Sequence, residues 1–266
     1  MKPTLSALWI LTRCSLCSAL FVIPASIAGL ELFGRGAPES RSLAMLASTL
    51  GLGFCAWWIG TNRFNTYLRG LCGPVGPLRQ YGPWVMLAGL GLASAGGAIS
   101  VLLHRHIPGF GALPKLEFAG WAGFITVALA APFCEELLFR GVILRRLLED
   151  HRPTAAIAIG AALFAACHVY PVRLLHTFVL GLLWSWLYCQ TKSIWPGVAG
   201  HAALNALCVL APSSQSFADF PVAPALMLGA ATAALGLYGL IGVKRIAEAA
   251  SYSTPTAPPR MAITVE

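Results

Sequence analysis

Charge is what this chain has least of. Of its 266 residues, 18 are Lys or Arg and 10 are Asp or Glu, so that 11% are charged, well under half of the roughly 25% carried by an ordinary soluble domain. So thin a charged skin excludes a water-soluble globule of this size. Disorder is excluded too, because disordered chains are poor in the Leu, Ile, Val and Phe that here form long runs, and 57% of the residues are hydrophobic. A disulfide framework is missing: the eight cysteines sit mostly inside apolar stretches, where a thiol behaves as a small buried hydrophobe. Cys14 and Cys17 form a C-x-x-C without the βαβ surroundings of a thioredoxin motif, and read as packing residues of a first apolar segment. The net charge of +8 is scattered in short clusters between apolar runs. That is loop decoration on a membrane protein, and no nucleic-acid partner is expected.

What is present is apolar length. Mean hydropathy is +0.72, and runs long enough to cross a bilayer occur near residues 8–30, 42–60, 84–103, 118–141, 154–170, 174–190, 194–212 and 222–243. The expected fold is all-α, a polytopic membrane helix bundle of about eight transmembrane helices. The first run resembles a signal peptide, with Lys2 ahead of it and Ser26-Ile27-Ala28 as a small-residue site, but Arg13 interrupts it and its length favours a retained helix. In the third run Gly89, Gly91, Gly96 and Gly97 are read as close-packing positions. With eight spans, 13 Lys and Arg fall on the side of both termini and 5 on the other, which predicts cytoplasmic termini in a bacterial inner membrane. The expected organisation is N-terminal helices over 1–110, a membrane core over 111–246 that holds the polar residues discussed below, and a loose cytoplasmic tail over 247–266. No internal repeat of the kind found in transporters is visible.

Ionisable side chains inside spans are costly, so each is a functional candidate. The fourth run carries Glu135, Glu136 and Arg140; the fifth carries Phe164 and His168; the sixth carries His176; the seventh carries His201 and Asn205. Glu136 and Arg140 stand i, i+4 with the acid first, the favourable order for a helical ion pair. Glu135 points about 100° away from Glu136, so one arginine does not serve both, and Glu135 needs a donor from another helix. His168 and His201 are the obvious ones, with Asn205 one turn beyond His201 on the same face. At 1.5 Å per residue, Glu135 and His168 lie about 20 Å from their cytoplasmic helix ends, Asn205 about 18 Å and His201 about 12 Å. A single cluster near mid-membrane is therefore expected. His176 alone reads as a packing residue. Cys134 beside Glu135 and Cys167 beside His168 make no dyads, since adjacent helical residues do not face each other.

At these residues the sequence resembles the CPBP family of intramembrane proteases, which includes the type II CAAX prenyl endopeptidases and bacterial Abi proteins. The family's E-E-x-x-x-R is met by Glu135, Glu136 and Arg140, its F-x-x-x-H by Phe164 and His168, and its H-x-x-x-N by His201 and Asn205. Pro132 and Phe133 before the glutamates, and Phe139-Arg140-Gly141 after them, match as well. The likeness runs over residues 118–212.

The resemblance implies hydrolysis of a peptide bond in a membrane-associated protein or peptide, with the bilayer as the enzyme's setting. Glu135 and His168 would activate a water, His201 and Asn205 would stabilise the oxyanion, and Glu136, Arg140 and Phe164 would support the site. Acid–base groups around a trapped water, with amide and imidazole donors at one point, suit that chemistry. No cofactor is expected. Zn²⁺ on Glu135, His168 and His201 is the alternative, although no H-E-x-x-H helix is present. Two other functions stand beside the protease: a non-proteolytic immunity or scaffold protein on the same fold, and a proton-coupled transporter using Glu135 and the histidines as a relay. Substrate candidates within the family are prenylated C-terminal tails, leader peptides and membrane-sorting tags.

Overall fold

The computed structural model describes residues 3–34, 37–106, 120–168, 171–210 and 221–253. Eight long helices follow the eight apolar runs, and no strand occurs among the described residues. They are α1 (Pro3–Phe33), α2 (Pro38–Phe64), α4 (Pro77–His106), α5 (120–147), α6 (Pro153–Ala166), α7 (Pro171–Thr191), α8 (Trp195–Leu210) and α9 (Val222–Ser253), with a one-turn helix α3 (Leu68–Cys72) between α2 and α4. Among the described residues, Pro38–Phe64, Trp121–Leu147 and Leu226–Ile246 are long and apolar enough to cross a membrane by length and composition, with mean hydropathies of 1.5, 1.6 and 1.8. The fold is a helical membrane bundle. Its last helix runs past residue 247 to Ser253, and residues 254–266 of the expected tail lie outside the described residues.

Local chemistry sets the helix ends. Pro38 and Pro153 open α2 and α6 from extended Ala37 and Arg152, where a missing N–H does no harm. Asn65 ends α2 in the left-handed region at φ 47°, a conformation Asn tolerates. Gly73, at φ 74°, ends α3 in a conformation suited to glycine, and any Cβ there would strike the Lys192 carbonyl. This crossing is tied on both sides: Ile194 N–H donates to Cys72 O at 2.9 Å and Ser193 Oγ to Pro74 O at 2.5 Å. The α3 segment is thereby joined to the turn that starts α8.

Two apolar clusters make the core. One joins Ala7, Ile10 and Cys14 of α1, Cys55 and Ala56 of α2, Leu71 of α3 and the buried face of α5. The other joins Val85 and Ala88 of α4, Trp184 of α7, Leu204 of α8 and Val243 of α9. The α4–α9 pair approaches through small residues: a Cβ on Gly91 would collide with the backbone of Thr232 and Gly236. Gly89 has a different partner, the Trp184 ring, whose tip also lies against Gly200 of α8. Gly96 accommodates His176, which packs on α4 as the sequence reading anticipates. At one end of the bundle Arg146 bonds to Asp150 at 2.6 Å and to Ser6 Oγ at 3.3 Å, while Arg63 meets Glu149 at 2.6 Å. These contacts fasten α1 and α2 to the end of α5.

Because Gly91 meets backbone, Gly91→Val is expected to destabilise the protein by about 1–3 kcal/mol through overpacking. Gly82→Ala, whose nearest neighbour is Leu78 Cδ1 at 3.9 Å, is the control and should leave stability unchanged or higher. Thermal unfolding in detergent checks the pair; equal midpoints for the two variants would contradict the α4–α9 contact.

Candidate active site

The site is built on α5, which is not a uniform helix. Thr126–Ala130 is wound as a π-helix, Ala131–Glu136 returns to α, Leu137–Leu144 is π again, and Arg145–Leu147 ends the element as α. The first widening has a cause in the sequence. Pro132 has no N–H and its ring crowds the carbonyl four residues back. The chain opens by one residue ahead of it, and Ala131 N–H donates to Thr126 O, an i→i+5 bond. Glu135 and Glu136 lie on the α turn between the two π segments.

Glu136 and Arg140 are fully buried, with 0% and 1% of their side chains exposed, and Arg140 Nη1 donates to Glu136 Oε1 at 2.9 Å. A buried ion pair survives only when its remaining hydrogen-bonding capacity is met. Arg140 Nη2 donates to Gly181 O of α7 at 3.0 Å, and its guanidinium lies 4.7 Å from the Phe164 ring centroid. His201 Nδ1 lies 3.3 Å from Glu136 Oε1. On the other side Gly197 makes room: a Cβ there would come within 2.9 Å of Glu136 Oε2. Three groups keep unmet capacity: Glu135 Oε2, Glu136 Oε2 and Arg140 Nε have no hydrogen-bond partner among the described residues.

Glu135 turns toward the more open side, with 24% of its side chain exposed, and its Oε2 lies 3.9 Å from His201 Nε2. His201 thus stands between the two carboxylates. Since Glu136 accepts at Nδ1, the neutral ring presents an Nε2 lone pair to Glu135, and a proton or a water beside the gap reconciles the two acceptors. His168 is fixed differently. Its Nδ1 lies 2.9 Å from Phe164 O, a carbonyl that only accepts, so the neutral ring carries its hydrogen there and offers Nε2 as a base. Phe164 links the set. Its ring packs edge-on against His168 at 4.8 Å, His201 at 6.0 Å and Phe139 at 5.1 Å.

The three motif helices therefore meet, but Asn205 does not share the aim of His201. Its Nδ2 donates to Val127 O at 2.9 Å, on the first π turn about two turns before the glutamates. Cys134 packs against Gly53, and Cys167 is exposed at the end of α6. Sequence reasoning missed Gly181 O, Gly197 and Val127 O; only the last left a signal, Pro132 inside an apolar run. Among the described residues no group of three or more His, Cys, Asp or Glu side chains comes together to hold a metal ion. A cavity of about 560 Å³ opens beside the glutamate turn, between the α3 segment, Phe133 and Trp195.

Residues 117–207 match the family described as Rce1-like, type II CAAX prenyl endopeptidase, and this stretch contains all three motifs in order. Over this stretch the chain is similar to the CPBP family. The chain is also 29% identical over 86 residues to "Putative membrane peptidase YdiL" of Bacillus subtilis (strain 168), a match over 32% of this chain and 35% of that protein. The chain thus spans about a third of the length of this curated relative. No solved structure matches it. The matched family is one of CAAX-type membrane proteases, and with its apolar helices the chain is an integral membrane protein.

Removing the cation from the buried pair leaves Glu136 with the His201 imidazole but without its ion-pair partner. Arg140→Met is expected to destabilise the protein by about 3–5 kcal/mol, and Glu136→Leu combined with Arg140→Met to recover part of that loss. Denaturation in detergent decides it, and a double variant no more stable than Arg140→Met would contradict the pairing.

Proposed function

We propose that the protein is an intramembrane endopeptidase that cleaves a membrane-associated protein or peptide precursor, near its C-terminus or within a membrane-associated segment. The observation that carries this reading is Glu135: a carboxylate on a CPBP core, with an oxygen that no side chain satisfies, facing an imidazole across 3.9 Å. A water held there would give up its proton to Glu135, assisted by the Nε2 lone pair of His168, and attack the scissile carbonyl, and Glu135 would return that proton to the leaving amine as the C–N bond breaks. His201, once it carries a hydrogen on Nε2 as an imidazolium, would face the developing oxyanion, with the amide of Asn205 as the second donor. Glu136, Arg140 and Phe164 hold the imidazoles in place and take no proton. The step needs no metal and no serine or cysteine nucleophile.

In this reading both termini lie on the cytoplasmic side, which the 13 to 5 distribution of Lys and Arg supports, and the membrane is a bacterial inner membrane. Among substrate classes, leader peptides and sorting tags suit a bacterial setting better than prenylated tails.

Glu135→Gln keeps the shape of the side chain and removes the base. In the reconstituted full chain it should lower cleavage by about 10²–10⁴-fold with the thermal midpoint little changed. Substrates come from comparing membrane proteomes with and without the protein for precursors whose termini change. Turnover of such a precursor by Glu135→Gln at a near-normal rate would sink the mechanism.

A further inference from the structure

We propose that Asn205 is also a positioning residue: it takes the backbone carbonyl that Pro132 leaves without a partner, and so fixes the turn of α5 that carries Glu135. Only the activity arm of the test below rests on the proteolytic reading. In the i→i+5 register shown by the Ala131 N–H to Thr126 O bond, the carbonyl of Val127 would be met by the N–H of residue 132. That residue is proline, which has none. A carbonyl so stranded inside a membrane bundle must be satisfied from outside its own helix. The nearby hydroxyl does not do it, because Thr126 Oγ1 donates to Ala122 O at 2.7 Å. Asn205 Nδ2, at 2.9 Å, does.

The side chain has to be an amide. A carbonyl accepts, so a donor is required, and an aspartate at this position would oppose oxygen to oxygen. The bond also settles which end of the amide is nitrogen and where its second N–H can point. With His201 on Glu136 and Asn205 on Val127, α8 grips α5 at two levels. Glu135 rides on the intervening turn, and its rotation about the helix axis is set by both grips.

The test is a rescue. In Asn205→Ala combined with Pro132→Ala, residue 132 regains an N–H and supplies within α5 the donor that Asn205 supplied across the helix interface. The full chain in detergent is followed by hydrogen–deuterium exchange over residues 126–136. Asn205→Ala and Asn205→Asp should each raise exchange there about tenfold or more, the scale of one unsatisfied buried carbonyl, and the double variant should return toward wild type. For activity, a quenched-fluorescence peptide is built on a site that the wild-type chain cleaves in a membrane-peptide library. Asn205→Ala should lower kcat with KM held, and the double variant should regain about tenfold of that loss. Unchanged exchange in Asn205→Ala, or no recovery in the double variant, overturns the proposal; the latter result would leave Asn205 as an oxyanion donor alone. A wild-type chain that cleaves no peptide refutes the proteolytic reading, while the exchange measurement still decides the role of Asn205.

Discussion

Taking the Glu136 carboxylate and the Arg140 guanidinium out of water together is the constraint that the other helices answer. The pair is fully buried, and its mutual attraction does not offset the loss of hydration unless further donors and acceptors close around it. Each of these comes from a different element: the Gly181 carbonyl from α7, the Phe164 ring from α6, the His201 imidazole from α8. Gly197 contributes by lacking a side chain where the carboxylate needs space. The ion pair is therefore less a source of net stability than a point of registry. A bundle of apolar helices has many nearly equivalent packings, and only one of them brings these partners to the buried charges.

The same closure leaves an asymmetry with chemical value. Glu136 is held by Arg140 and by His201 of α8, whereas its neighbour Glu135, a third of a turn away, meets the Nε2 side of His201 at long range. Adjacent positions on one helix thus separate support from reactivity, because the 100° step between them turns one carboxylate into the bundle and the other toward its opening. His168, held at Nδ1 by its own helix through Phe164 O, presents its other nitrogen without drawing on the ion pair at all.

Much of this was legible in the sequence, and for definite reasons. Scarce charge and long apolar runs revealed the helices, since a bilayer leaves a backbone few alternatives; polar residues inside those runs revealed the site, since a bilayer tolerates few of them. What stayed hidden involves backbone atoms and absent atoms. The Gly181 carbonyl and the missing Cβ of Gly197 carry no mark in a string of letters. The α3 turn was too short for a hydropathy pattern, and its place depends on contacts with Lys192, Ser193 and Ile194 far along the chain. Asn205 is an instructive case. Its spacing from His201 suggested a common target, yet the target is set by the partner helix, where Pro132 shifts the hydrogen-bond register and opens a carbonyl two turns away.

Trp184 has a mechanical consequence. Its indole fills the space between Gly89 of α4 and Gly200 of α8, next to His201, where a Cβ would come within 3.1 Å and 2.7 Å of its outermost atom. Packing this tight leaves no slack for side chains to take up a displacement. The α4–α9 pair, whose outer residues such as Met227 and Tyr238 are exposed, is thus geared to the helix of His201 through one rigid ring. A shift of that pair against α8 would therefore have to move the ring itself or the backbones at Gly89 and Gly200, since neither glycine leaves room for the indole to turn aside.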